Sequence, residues 1–155
     1  MMRLNDYYRY FCFFEHEGEF IHIADCSISE IQNSRGRLEY LEGYISIQYY
    51  GTELAGAAYY DNIIPLWKNI IDGLSEYSEN RNTIIFSPDN ASTMTLHSVN
   101  QIQIVLGLNE SHYALTEKEF FHALLTSARE FFEWLGDDIY TKKSRQLEMV
   151  LVNLK

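Results

Sequence analysis

The sequence predicts an α+β domain: a mostly antiparallel sheet with at least two packed helices, in the order strands, helix, strands, helix. Three observations carry it. Aromatic and β-branched residues, broken at short intervals by turn residues, dominate the first third of the chain. Apolar residues recur at helical spacing from Ile63 to Leu74 and again after Glu117, and between those stretches polar and apolar residues alternate as they do in strands.

The first strands are Tyr7 to Glu15, Phe20 to Ala24, and a long stretch from Arg37 to Tyr50. Tyr8, Tyr10, Cys12 and Phe14 line one face of the first strand, and Tyr7, Phe11 and Phe13 the other, so that strand is expected to be central. Glu17 and Gly18 join the first two as a hairpin, which places Cys12 opposite Ile23. Gly43 marks a bulge or bend in the third. Gly51 to Ala58 reads as a small-residue loop.

Ile63, Trp67, Ile70, Ile71 and Leu74 then share one helix face. Asp61 or Asn62 is placed to cap that helix, and Pro65 falls in its first turn, where it is tolerated. Thr83 to Phe86 leads as a strand into Ser87, Pro88, Asp89 and Asn90, a type I turn with proline second. Met94 and Leu96, then Ile102, Ile104 and Leu106, alternate with polar neighbours and predict a meander with one wet face.

The strongest helix signal runs from Glu117 to Leu135. Thr116 and Glu119 have capping-box spacing, and Leu124, Ala128, Phe131, Phe132 and Leu135 form the apolar stripe. Gly136 stands ready as its stop, and Asp137 and Asp138 after it read as a solvated turn. From Ser144 to Leu154 the pattern fits either a helix or a strand. With no linker, repeat or low-complexity tract, residues 1–155 are expected to form one domain.

The chain has 155 residues, 46% hydrophobic and 15% aromatic, a composition too apolar for disorder. Lys and Arg number 12 against 22 Asp and Glu, a net charge of -10. Between Ile139 and Lys155, Lys142, Lys143, Arg145 and Lys155 against Glu148 leave +3, so residues 1–138 carry -13. That field argues against nucleic-acid binding and favours a basic partner. No apolar run reaches the length of a membrane span, and the aromatic N-terminal run holds Arg9 and lacks a small-residue cleavage site. A cytoplasmic protein with reduced thiols is the expectation.

Cys12, His16, His22 and Cys26 have the symmetric spacing C-x3-H-x5-H-x3-C, and their chemistry suits zinc. The hairpin register keeps Cys12 and Cys26 from facing each other, so no metal is expected. There is no nucleophile elbow, phosphate loop or H-E-x-x-H pair, and Ser98 and His97 are strand neighbours that point to opposite faces. Neither a catalytic residue nor a cofactor is assigned. Surface composition says more: Glu15, Glu17 and Glu19 surround His16 at the hairpin tip, Tyr49 pairs with Tyr50, and Tyr59 and Tyr60 stand beside Asp61. Tyrosine beside carboxylate suits contacts with Arg and Lys, so these residues are the candidate partner-binding set.

The runs G-Y-I-S-I from Gly43, L-W-K-N-I-I-D-G-L from Leu66, F-S-P-D-N from Phe86 and E-F-F-H-A-L-L from Glu119 resemble small bacterial immunity proteins that accompany polymorphic or contact-dependent toxins. The resemblance implies a non-catalytic inhibitor that binds a cognate toxin domain in the cytoplasm of the producing cell. The alternatives are a small cytoplasmic enzyme, or a structural or regulatory subunit that associates with itself through the same patches.

Overall fold

The computed structural model describes residues 8–16, 19–30, 41–56 and 60–153. The fold is α+β, with two antiparallel sheets and helices packed between and beside them. The first sheet holds β1 (Tyr8–His16), β2 (Glu19–His22), β3 (Glu42–Tyr49), β4 (Thr52–Ala55) and β5 (Asp61–Asn62), in the order β2-β1-β3-β4 with β5 also on β3. The hairpin register is the expected one: Phe13 faces His22, Phe14 faces Ile21 and His16 faces Glu19. β1 lies between β2 and β3, inside the sheet rather than at its edge.

Two expectations for the third strand change. β3 runs unbroken through Gly43, which pairs with Phe14 on one side and Asp61 on the other. The irregularity lies instead between Ile47 and Gln48, where the register to β4 shifts. The loop expected from Gly51 to Ala58 contains β4, because Tyr50 (φ 51°) and Gly51 (φ 80°) make a two-residue turn that brings Thr52 back onto Tyr49. Two successive positive φ values match the right-handed twist of a tight hairpin, and alternation alone carries no sign of such a turn around a tyrosine.

Helix α1 (Ile63–Asn80) buries Ile63, Trp67, Ile70, Ile71 and Leu74, the predicted face. The second sheet is the meander β6 (Asn82–Phe86), β7 (Thr93–Ser98), β8 (Gln103–Leu108) and β9 (Ser111–Thr116). Alternate residues of β6 to β9, among them Thr83, Ile85, Leu96, Ile104, Leu106 and Leu115, turn inward and are buried. The other face is open to solvent. Between β6 and β7 the expected four-residue turn is a wider loop, closed by Ser87 N–H to Ser92 O at 3.1 Å.

Helix α2 (Glu117–Leu135) has the predicted bounds. Its predicted capping box is absent, since no side-chain hydrogen bond caps its N-terminus. Its C-terminus is a Schellman turn: Gly136 at φ 82° donates to Glu133 O, and Asp137 N–H reaches back to Phe132 O at 2.9 Å. Asp137 is no idle turn residue, for its carboxylate accepts from Tyr140 N–H at 3.0 Å and caps α3 (Asp138–Glu148). The ambiguous C-terminal segment is helical, α3 running into a π-helical turn over Met149–Asn153 that buries Leu151 and Val152 and leaves Val150 exposed.

One core joins these parts. Ile45 and Ile47 of β3, Ile85 of β6, Leu106 of β8, Trp67 of α1 and Phe131 of α2 belong to the same buried cluster. Trp67 and Phe131 stack with ring centroids 5.9 Å apart, and the Trp134 indole donates to Cys26 O at 2.7 Å, tying the segment after β2 to α2.

Candidate protein-interaction site

β3 orders the candidate residues along the first sheet. Phe14, Gly43 and Asp61 lie in one cross-strand row, and Glu15 and Glu19 sit beyond it toward the hairpin tip. Tyr49 is at the other end of β3, opposite Tyr8 and Thr52. Six residues of extended strand separate Gly43 from Tyr49, about 20 Å at strand rise. Tyr60 therefore sits with the hairpin end, and the Tyr49–Tyr50 pair stands apart from it. Glu17 and Tyr59 lie outside the described residues.

At the far end Tyr50 is 60% exposed in the tight turn, its ring edge-on to Tyr49 with centroids 4.6 Å apart. At the hairpin end Tyr60 is 51% exposed and Asp61 only 4%. Asp61 is thus not a surface partner of Tyr60. One of its carboxylate oxygens accepts from Asn62 N–H at 2.6 Å and Asp89 N–H at 3.0 Å, and the other accepts from Asn90 N–H at 3.1 Å. Asn90 completes the lacing by donating from Nδ2 to Tyr60 O at 3.0 Å and accepting from Ser92 N–H at 2.7 Å. A buried carboxylate is stable only when its lone pairs find donors, and the 87–92 loop supplies them.

The lacing shapes a cavity of about 360 Å3 lined by Glu42, Tyr60, Asp61, Asn62, Asp89, Asn90 and Ser92. Glu42 and Asp89 are exposed and line the same cavity as Tyr60. Two exposed carboxylates and a tyrosine around one cavity suit a cationic side chain, by charge-assisted hydrogen bonds and ring stacking. Sequence reasoning reached Tyr60 but missed Glu42 and Asp89. The S-P-D-N run was the available signal, though nothing local shows that it folds onto β5.

Several other reactive side chains among the described residues are engaged elsewhere. His22 Nδ1 accepts from Ala24 N–H at 2.9 Å, and Cys26 Sγ donates to Glu30 at 3.4 Å. Burial, then Glu30, pushes the Cys26 thiol pKa up, away from thiolate. Glu148 joins α2 to α3, bonded to His122 Nδ1 at 3.1 Å and to Arg129 at 3.0 Å. Among the described residues no three His, Cys, Asp or Glu side chains are grouped to hold a metal ion, and no helix is long and apolar enough to cross a membrane. Compared with known proteins, the chain matches no family model, no curated protein and no solved structure.

Proposed function

We propose that this chain is a non-catalytic binding protein of the immunity type, which neutralises a basic toxin domain by direct contact. The observation that supports it best is the cavity between Glu42, Tyr60 and Asp89, placed at the same end of the first sheet as Glu15 and Glu19. The net charge of -10 draws a basic partner in, and the exposed Tyr60, sharing one cavity with the Glu42 and Asp89 carboxylates, anchors an Arg or Lys once it arrives. Tyr49 and Tyr50, about 20 Å away by strand rise, supply a second anchor within the span of a standard interface.

The test is to look for a toxin-like reading frame beside this one and, where one is found, to co-express its product with the chain. The chain is expected to restore growth and to co-purify with that product, with affinity falling as salt rises. Asp89→Lys should mainly slow association, and Tyr60→Ala should mainly speed dissociation. Loss of toxicity without a complex, or affinity unchanged from wild type in both variants, would overturn the reading.

A further inference from the structure

We infer that the outer face of α3 is a second interaction surface, fitted to an acidic protein segment that carries aliphatic residues. In a chain of net charge -10, four of the 12 Lys and Arg residues line the two cavities that flank this one helix. Arg129, Lys142 and Arg145 line a cavity of about 340 Å3, and Lys143 lines another of about 320 Å3 against α1. Apolar side chains stand among them in solvent: Ile139 is 69% exposed, Met149 56% and Val150 46%. α3 turns Thr141, Ser144 and Leu147 inward, and the π-helical turn after it buries Leu151 and Val152, so its larger apolar residues are left on the outside.

The cations on this face are available. Among the described residues Lys142 and Lys143 have no carboxylate within ion-pair reach, and Lys143 lies over the Tyr140 ring at 4.5 Å. Arg145 is 2.9 Å from Glu133, but both side chains are largely exposed, and a pair of that kind contributes so little that a partner's carboxylate can replace it. The carboxylates nearby are held within the fold. Glu148 is bonded to His122 and Arg129, Asp72 accepts from the Tyr140 hydroxyl at 3.3 Å, and Asp138 stands in the first turn of α3.

Charge selects an anion, and the layout selects its kind. A small oxyanion needs cations that converge on one point, whereas here Lys143 serves one cavity, Lys142 and Arg145 the other, and Gln146 both, so the ligand has to reach across the helix. Single-stranded nucleic acid stacks its bases on rings, but the exposed apolar residues are aliphatic, and the Tyr140 ring is already stacked on Phe132 with centroids 5.1 Å apart. An anionic bilayer repels a chain of net charge -10 along its whole surface. A short acidic segment instead meets the local field, because screening removes charges beyond about 8 Å at physiological salt. Ile139 and Met149 are roughly 15 Å apart at helical rise, so the matching segment carries apolar residues about three helical turns apart with Asp or Glu between them. Its charge is opposite to that of the toxin domain, and the two surfaces are independent.

Amide chemical-shift titration of the full chain tests the inference with three synthetic peptides of about 15 residues: Glu with leucines set three helical turns apart, the same peptide with serine for leucine, and the same with lysine for glutamate. The Glu–Leu peptide is expected to shift amides of residues 139–153 and of the facing stretch of α1, less so as salt rises. Lys142→Glu with Arg145→Glu should weaken it at least about tenfold, and Ile139→Ser with Val150→Ser at least about fivefold. Should the charge reversal fail to fold, Lys142→Gln with Lys143→Gln replaces it. No binding of the Glu–Leu peptide, shifts centred on other elements, equal affinity for the serine or lysine peptide, or affinity unchanged in the folded charge variant overturns the inference. Vesicles containing phosphatidylserine that bind wild type but not the charge variant would assign the face to a membrane and overturn it too.

Discussion

Arg81 and Glu117, 36 residues apart, close a two-pronged ion pair with guanidinium nitrogens 2.9 and 3.0 Å from the two carboxylate oxygens. Arg81 ends α1 with φ 63°, lies over the Tyr77 ring at 5.4 Å and also donates to Ser98 at 3.0 Å. Glu117 opens α2, is 1% exposed, and donates its own N–H to Ile102 O at 2.9 Å. One pair thus joins the end of the first helix, the β7–β8 turn and the start of the second helix. Removing Arg81 takes away the counter-ion of a buried carboxylate. Arg81→Met should cost about 2–4 kcal/mol, at the lower side of values for buried pairs because the guanidinium is partly solvated. Urea unfolding measures this, and Arg81→Met combined with Glu117→Gln should recover part of the loss.

Phe131 is fully buried, stacked on Trp67 and edge-on to Phe132 at 5.3 Å. Phe131→Ala removes the ring that joins α1 to α2 and should cost about 3–5 kcal/mol. An unchanged denaturation midpoint would show that the stripe does not hold the helices together.

Two glycine-to-alanine changes should both destabilise, for different reasons. Gly136 has open space around it but φ 82°, so Gly136→Ala costs about 1 kcal/mol in backbone strain alone. Gly73 lies inside α1, where alanine ordinarily gains about 1 kcal/mol. A Cβ there would strike the Ile85 side chain, and Gly73→Ala is expected to lose about 1–3 kcal/mol from overpacking. Thermal unfolding distinguishes this outcome from the ordinary gain.

Tyr77 gives a stability change at alkaline pH. Burial, then the Glu117 charge, pushes its phenol pKa above the usual value. An unfolded tyrosine ionises near about pH 10, so above that pH the unfolded state loses protons first. The stabilising contribution is whole below about pH 10 and declines as pH rises from there through the raised folded value. Tyr77→Phe should be near neutral at pH 7 and should make the alkaline decline shallower. Tyr44 and Tyr140, also raised chiefly by burial, keep part of the slope.

What the sequence by itself determined is what depends on neighbours along the chain. The span Glu117 to Leu135, the Gly136 stop, the buried face of α1 and the β1–β2 register all follow from apolar period or turn length, which measure burial and closure within a few residues. The tertiary structure alone decided where polar groups found partners. Asp61, expected as a cap or a surface acid, spends its carboxylate on amides up to 29 residues away, and Thr116 yields the anchoring of α2 to Arg81. The candidate site divides for the same reason: Tyr49 and Tyr60 are close in sequence, but β4 and β5 return to opposite ends of β3. A buried carboxylate or amide needs a partner at a fixed distance and angle, and which loop supplies it depends on how whole strands and helices pack.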